Sequence, residues 1–258
     1  MRLSLAADLN YSVEEVTDIL IQVEAAETQG QTVLSESLDL GHVGYLSRIA
    51  SEDDLGTRVW VSTADGLSLS YCAEVEITRS DSDLSTLPAD PVHRLPHEAV
   101  RYLMGSRYCP SDQFLSFAAA EFGDLEGGAC IRAMSDWIGE KFIYAPGASG
   151  PSTTALDTLV QRRGVCRDYA HVLIALARAK AIPARMVSCY APRVTPQDFH
   201  AMVEVWLDGG WHLIDPTAMA TPSETAIIGV GRDAADIAFL TSYGWITLCH
   251  QTVSVTRI

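Results

Sequence analysis

One cysteine of this chain stands where a helix begins, and that placement could activate a thiol. Cys166 follows Gly164 and opens residues 165–180, the longest helical run, which is apolar on almost all sides. Unpaired N–H groups and the positive end of the helix dipole gather at a helix start, and both stabilise a thiolate. The same N–H groups could receive an oxyanion. The pattern predicts that Cys166 is a nucleophile, although an isolated helix cysteine is more often a small core residue.

A predicted β-hairpin carries a histidine and an aspartate that could serve this thiol. Residues 200–207 alternate their side chains between two faces, and Asp208-Gly209 is a strong signal for a two-residue turn. Residues 211–217 form the return strand. His200 begins the first strand and Asp215 lies near the end of the second, so both come to the same end of the hairpin.

The register of this hairpin decides whether the two side chains meet. A turn on Asp208-Gly209 sets Asp215 opposite Met202, diagonal to His200 and on the same face. Diagonal neighbours such as Asp215 and His200 have Cα atoms about 7–8 Å apart. A turn one residue later would move Asp215 out of reach of His200. The first register predicts a triad in which His200 takes the proton of Cys166 and Asp215 orients the imidazole.

Simpler explanations exist for each member of this triad. His200 could be a hydrogen-bonded strand histidine, and Asp215 could be a turn residue before a proline. Cys166, His200, His171 and Asp215 are suitable zinc ligands by type, but they lack the close paired spacing of most zinc sites. The sequence therefore predicts no metal site and no cofactor.

Four further residues are candidates for substrate-binding or supporting roles. Tyr108 and Tyr144 could line the cleft or polarise a carbonyl, although packed aromatic side chains are the commoner case. Asp168 lies in the first helical turn, where a carboxylate suits the dipole. His171 lies on a different helix face from Cys166 and is expected to be a buried histidine bonded to backbone, with a supporting role open to it.

Charge and composition restrict the function classes. A formal net charge of −15 opposes binding to nucleic acid or to anionic membranes. The six cysteines are scattered without C-x-x-C spacing, and neither a signal-peptide core nor a membrane-spanning apolar run occurs. We therefore expect a cytoplasmic protein with reduced thiols. The sequence does not indicate an oligomeric state.

The spacing of apolar residues changes near residue 95, from the alternation of strands to the periodicity of helices. Short β-rich runs lie at 18–24, 58–62, 67–71 and 72–78. Helical runs lie at 114–122, 130–142 and 165–180, before strands return. Because the proline-bearing stretch 80–96 reads as a linker, we predict an α+β chain with a β-rich N-terminal domain at 1–95. A catalytic domain at 96–258 would include the C-terminal strands.

Three motifs resemble those of bacterial transglutaminase-like proteins. The cysteine motif is Gly-Val-Cys-Arg-Asp-Tyr-Ala-His at 164–171, the histidine motif begins at His200, and the Asp-Pro-Thr motif lies at 215–217. Residues 106–112 and 231–236 are similar, more weakly, to segments of a bacterial subgroup generally labelled as cysteine proteases. Met202 is a departure, because the family often has an aromatic residue there, on the expected pocket wall.

The resemblance implies a papain-like α+β core in which the cysteine helix packs on an antiparallel sheet. It also implies a thiol hydrolase or acyltransferase that acts on a peptide or isopeptide amide through a thioester. The substrate would be a peptide or protein, and specificity would reside in loops at 144–161 and 192–198. A catalytically silent module that binds a protein or peptide is the alternative, which an intact triad disfavours.

Overall fold

The computed structural model describes residues 1–258 as fourteen β-strands and six α-helices. The strands are β1 (Arg2–Val13), β2 (Thr17–Ile21), β3 (Gln31–Asp39), β4 (Tyr45–Ala50), β5 (Thr57–Thr63), β6 (Leu67–Ile77), β7 (Ile143–Tyr144), β8 (Arg163–Gly164), β9 (Ala184–Tyr190), β10 (His200–Leu207), β11 (Gly210–Ile214), β12 (Ala226–Gly231), β13 (Leu240–Ser242) and β14 (Ile246–Arg257). The helices are α1 (His97–Val100), α2 (Leu115–Phe122), α3 (Gly127–Lys141), α4 (Ala155–Gln161), α5 (Cys166–Ala179) and α6 (Ala234–Ile237).

Two four-stranded antiparallel sheets form a sandwich. Their strand orders are β14-β1-β6-β3 and β13-β2-β5-β4. Every second side chain of β1 and β6 turns into the shared core, as Leu3, Leu5 and Leu9 do in β1. The two runs predicted at 67–71 and 72–78 are one strand, because the alternation continues through Cys72 without a turn.

The last two strands belong to this sandwich. β14 pairs with β1 from Leu3 and Arg257 to Val13 and Ile246, and β13 pairs with β2. The sequence grouped these strands with residues 96–258, whereas the structure pairs them with the N-terminal strands. Without β14, one side of β1 would present unpaired N–H and C=O groups. The proposed domain boundary between residues 95 and 96 stays a prediction.

A third antiparallel sheet, with the order β11-β10-β9-β12, supports α5. One face of β10 presents Ala201, Val203 and Val205 to the same buried core as the apolar side chains of α5. The helix runs from Cys166 to Ala179, one residue shorter at each end than the predicted run. This arrangement confirms the predicted α+β fold with the cysteine helix packed on an antiparallel sheet.

Helix α4 was not predicted from the spacing of apolar residues, although its first residues carry a capping signal. Thr154 and Asp157 form a capping box, in which the Asp157 carboxylate accepts the Thr154 N–H at 2.9 Å and the Thr154 hydroxyl accepts the Asp157 N–H at 3.3 Å. Thr-x-x-Asp is a recognisable start for a short helix. None of the helices combines the length and the hydropathy that crossing a membrane requires.

The stretch predicted as a linker is packed against the core that contains α3 and α5. Leu84 is buried in the core below α3. A Cβ on Gly128 would lie 1.5 Å from the Leu84 carbonyl oxygen, so only glycine allows this close approach. The connection therefore contributes to the core as well as joining the two parts of the chain.

Candidate active site

Cys166 is the first residue of α5, and Asp168 holds the turn that positions it. The buried Asp168 carboxylate accepts the Val165 N–H at 2.8 Å and a hydrogen bond from Arg167 at 3.1 Å. A Cβ on Gly164 would lie 2.6 Å from the Asp168 Cβ, so glycine leaves the space that this carboxylate occupies. Asp168 thus caps the helix start, as the sequence indicated for a carboxylate in the first turn.

The hairpin of β10 and β11 has the register that the Asp-Gly turn predicted. Leu207 pairs with Gly210, and the dipeptide Asp208-Gly209 has positive φ at both residues, as a type I′ turn requires. His200 Nε2 lies 2.9 Å from Asp215 Oδ2, and both side chains are buried. The diagonal contact on which the predicted triad depends is therefore present.

Backbone and hydroxyl donors hold the Asp215 carboxylate in place. Its Oδ1 accepts the N–H and the hydroxyl of Thr217 at 2.8 and 2.7 Å. Its Oδ2 accepts the N–H groups of Met219 and Ala220 at 3.0 and 2.8 Å. Burial raises the pKa of Asp215, but the hydrogen bonds from His200 and Thr217 outweigh burial and lower the pKa. A fixed and charged carboxylate is what an orienting group must be.

The His200 imidazole uses Nε2 for Asp215 and leaves Nδ1 for the thiol. Nδ1 is buried and makes no hydrogen bond within the protein, so it is free to act on the thiol. Burial lowers the pKa of His200, whereas the hydrogen bond to Asp215 and the contact with Cys166 raise it, to about 10 overall. The charged imidazolium is therefore favoured next to the sulfur, which is the charge state of a thiolate–imidazolium pair.

Tyr144 approaches the same thiol from β7. β7 pairs with β8, and the Gly164 carbonyl accepts the Ala145 N–H at 2.8 Å, so the tyrosine is fixed beside the start of α5. Burial and the nearby Cys166 raise the pKa of Tyr144, although a backbone hydrogen bond with Cys166 opposes them. A protonated phenol at this position could donate to an oxyanion, together with the N–H groups of the helix start.

His171 is buried within α5, where it contacts Ala234 and Tyr108. Its Nε2 accepts the Ala234 N–H at 3.2 Å, and burial lowers its pKa to about 4, so the ring is neutral. The imidazole stacks on Tyr108 with ring centroids 5.1 Å apart, and the Tyr108 hydroxyl donates to the Pro151 carbonyl at 2.7 Å. His171 therefore supports the ring of Tyr108. No group of three or more His, Cys, Asp or Glu side chains is placed to hold a metal ion.

A cleft of about 600 Å³ opens at Cys166 and His200, and Tyr108 and Tyr144 both line it. The two loops expected to carry specificity contribute Pro146, Pro151, Val194, Pro196 and Asp198. Met202 does not line the cleft. It is fully buried in a separate apolar cluster with Val187 and Leu213, so the departure from the family pattern does not alter the pocket wall.

Sequence reasoning missed one wall of this cleft. Phe199, Phe239 and Leu240 line it; Phe239 directly precedes β13, and Leu240 is the first residue of that strand. Phe199 had a usable signal, because it is the apolar neighbour of the predicted catalytic residue His200. Nothing local marks Phe239, because its place at the site depends on where the C-terminal segment packs.

Comparison with known proteins assigns the family. Residues 119–216 match the family model described as the transglutaminase-like superfamily. The crystal structure of a candidate cysteine protease from Cytophaga hutchinsonii superimposes with a TM-score of 0.93 at 32% identity, covering 99% of this chain and 90% of that chain. The chain belongs to the transglutaminase-like superfamily.

Curated relatives match over a shorter span. An uncharacterised protein from Mycobacterium leprae is 37% identical over 117 residues, which are 42% of this chain and 42% of that protein. A protein-glutamine gamma-glutamyltransferase from Pseudomonas aeruginosa is 34% identical over 119 residues, which are 38% of this chain and 17% of that protein. The chain thus spans less than half the length of these relatives. The matches support membership of a family of thiol-dependent enzymes that act on amides.

Proposed function

We propose that this chain is a thiol hydrolase or acyltransferase that acts on a peptide or isopeptide amide through Cys166, His200 and Asp215. The observation that carries the proposal is the imidazole of His200, which is bonded to a fixed carboxylate at Nε2 and leaves Nδ1 for the thiol. A module that only binds a partner has no use for a base aligned with a thiol at a helix start.

The reaction would proceed in two acyl transfers. His200 already holds the thiol proton as the imidazolium, so the Cys166 sulfur attacks the carbonyl carbon of the amide as a thiolate, and the helix-start N–H groups and Tyr144 stabilise the oxyanion. The C–N bond then breaks, and His200 returns the proton to the leaving amine. Water, deprotonated by His200, attacks the thioester, which releases a carboxylic acid and restores the thiol. An amine in place of water would give a new amide.

Hydrolysis is the default because water has access to the cleft. The rim residues Pro196 and Asp198 are exposed, and transfer to an amine would need a site that excludes water. A peptide or protein is the substrate class that fits the cleft and the family.

Thiol alkylation combined with peptide hydrolysis tests this proposal. We expect iodoacetamide at neutral pH to modify Cys166 faster than the exposed Cys72 and Cys249, with sites assigned by peptide mass mapping. His200→Ala should remove the advantage of Cys166, and Cys166→Ala should abolish peptide hydrolysis. Asp215→Asn should lower kcat by about 10²–10⁴-fold, because the imidazole would lose its tautomer and orientation.

Cys249→Ala is the matched control, since it removes an exposed thiol outside the cleft and should leave hydrolysis unchanged. If Cys166 reacts no faster than Cys249, and His200→Ala changes nothing, the enzyme proposal is wrong and a binding module becomes the better account.

A further inference from the structure

Two stacked phenylalanines form one wall of the cleft beside the imidazole. The rings of Phe199 and Phe239 have centroids 4.6 Å apart and planes 13° from parallel. Both side chains are only half-buried and line the cleft, and Val194 and Leu240 adjoin them. Partly exposed apolar surface inside a concave site is the usual material of a ligand pocket. Since Phe199 directly precedes His200, a group bound on this wall lies next to the reacting amide.

The sandwich makes this wall rigid. The apolar core of the sandwich packs against Phe199, Phe239 and Leu240. Gln22, the residue after β2, donates its N–H to the Phe239 carbonyl at 2.9 Å. Tyr190 also packs against Phe199, with ring centroids 5.5 Å apart. A surface fixed in this way loses little conformational entropy when a ligand binds.

The charged side chains of the cleft already have partners within the protein. Asp198 Oδ1 accepts the Phe199 N–H at 2.8 Å and a hydrogen bond from Gln251 at 2.7 Å. Arg167 donates to Asp168 and Ser149, and to the Gly150 carbonyl. A polar side chain placed on the two phenylalanine rings would therefore lose hydration without gaining an equivalent partner.

We propose that Phe199 and Phe239 form a substrate subsite for an aromatic or branched aliphatic side chain next to the attacked amide. The sandwich then has a functional role, because it supplies one wall of the specificity pocket. This inference rests on the proposed function for turnover, but the occupancy of the subsite can be measured on the thiol alone.

The first experiment compares two alkylating reagents. N-benzyl iodoacetamide carries an aromatic group for the subsite, and iodoacetamide does not. The rate of the benzyl reagent is divided by the rate of iodoacetamide, first for Cys166 and then for the free thiol of glutathione. Dividing the first ratio by the second corrects for intrinsic reactivity, and we expect this corrected ratio to be at least about ten. Phe239→Ala should bring the corrected ratio close to one, and Phe239→Leu should retain most of it. Tyr243→Ala removes an exposed aromatic ring outside the cleft and should keep the wild-type ratio.

The second experiment uses quenched fluorescent hexapeptides in which Phe, Leu, Gln, Glu or Lys is placed in turn at each of the four central positions. We expect kcat/KM at one position to favour Phe and Leu over the polar residues by at least about tenfold, and Phe239→Ala to remove that preference. Thermal unfolding of each variant separates lost selectivity from lost folding.

The outcomes separate the two proposals. A corrected alkylation ratio near one in the wild-type protein, or a ratio that Phe239→Ala leaves unchanged in a folded protein, overturns the subsite. Hydrolysis of every peptide at similar rates also overturns it. Absence of hydrolysis together with a high alkylation ratio counts against the proposed peptidase reaction and supports the subsite.

Discussion

At the scale of single residues, the imidazole of His200 is held by opposing influences whose balance sets its charge. Burial disfavours the imidazolium, while the hydrogen bond to Asp215 and the neighbouring thiol favour it. Asp215 remains ionised because its donors are fixed by the turn after β11. The candidate catalytic unit is thus a carboxylate, an imidazolium and a sulfur whose electrostatics depend on one another.

The charge on His200 predicts a dependence of stability on pH. Its pKa of about 10 in the folded protein exceeds the ordinary value of 6.5, so the folded state binds a proton that the unfolded state releases. This stabilisation is complete below pH 6.5 and is lost as the pH rises through 10. The wild-type protein should have a higher free energy of unfolding than His200→Gln at low pH. We expect this difference to fall by at least about 1 kcal/mol between pH 6.5 and pH 10. Urea denaturation at several pH values measures the difference, and a constant difference would show that His200 is not charged.

At the scale of elements, the start of α5 depends on a close approach that only glycine permits. We expect Gly164→Ala to push the Asp168 carboxylate away, to displace Cys166 and to destabilise the protein by about 1–3 kcal/mol. Because a shift of about 1 Å in a reacting group can cost 10²-fold in rate, activity should fall more than stability. Hydrolysis rates and thermal unfolding measure both quantities.

Gly150→Ala is the control for this prediction. Gly150 lies in the loop near the same helix start, and a Cβ there would have no neighbour within 4 Å. It should behave as wild type in both measurements. Equal effects of the two substitutions would mean that the close contact with Asp168 is not what positions the thiol.

At the scale of the whole molecule, a network of charges joins the N-terminal part of the chain to the sheet that contains β9 and β10. Arg185 of β9 bonds Glu204 of β10 at 2.8 Å and Asp53 at 2.9 Å, and its guanidinium lies 4.1 Å from the Trp211 ring centroid. Asp53 also accepts a hydrogen bond from Arg101 at 2.8 Å. The network fixes the sandwich, which supplies the apolar wall of the cleft, relative to the sheet that carries His200.

Removing the Asp53 carboxylate should therefore destabilise the protein. Asp53→Ala leaves the buried Arg185 with one carboxylate where it had two, and we expect a loss of about 2–4 kcal/mol in the free energy of unfolding. Glu76→Gln breaks the exposed pair with Arg2 and should cost less than about 1 kcal/mol. Urea denaturation of both variants makes the comparison, and similar losses would show that the network does not hold the two parts together.

Local sequence contains most of the candidate catalytic machinery. A glycine, a cysteine and an acidic residue within five positions define the helix start, and the Asp-Gly turn fixes the register that brings Asp215 to His200. These features are predictable because hydrogen-bond geometry and side-chain alternation act over a few residues. The capping box of α4 is equally local and could have been found in the same way.

Only the tertiary structure decided the surroundings of that machinery. β14 pairs with β1 from the opposite end of the chain, Phe239 reaches the cleft through the segment before β13, and Asp53 bonds Arg185 across the two parts of the molecule. None of these contacts has a local signal, because each depends on the packing of segments far apart in the sequence. The sequence by itself therefore determined which residues could perform the chemistry, whereas long-range packing decided the wall that faces the substrate.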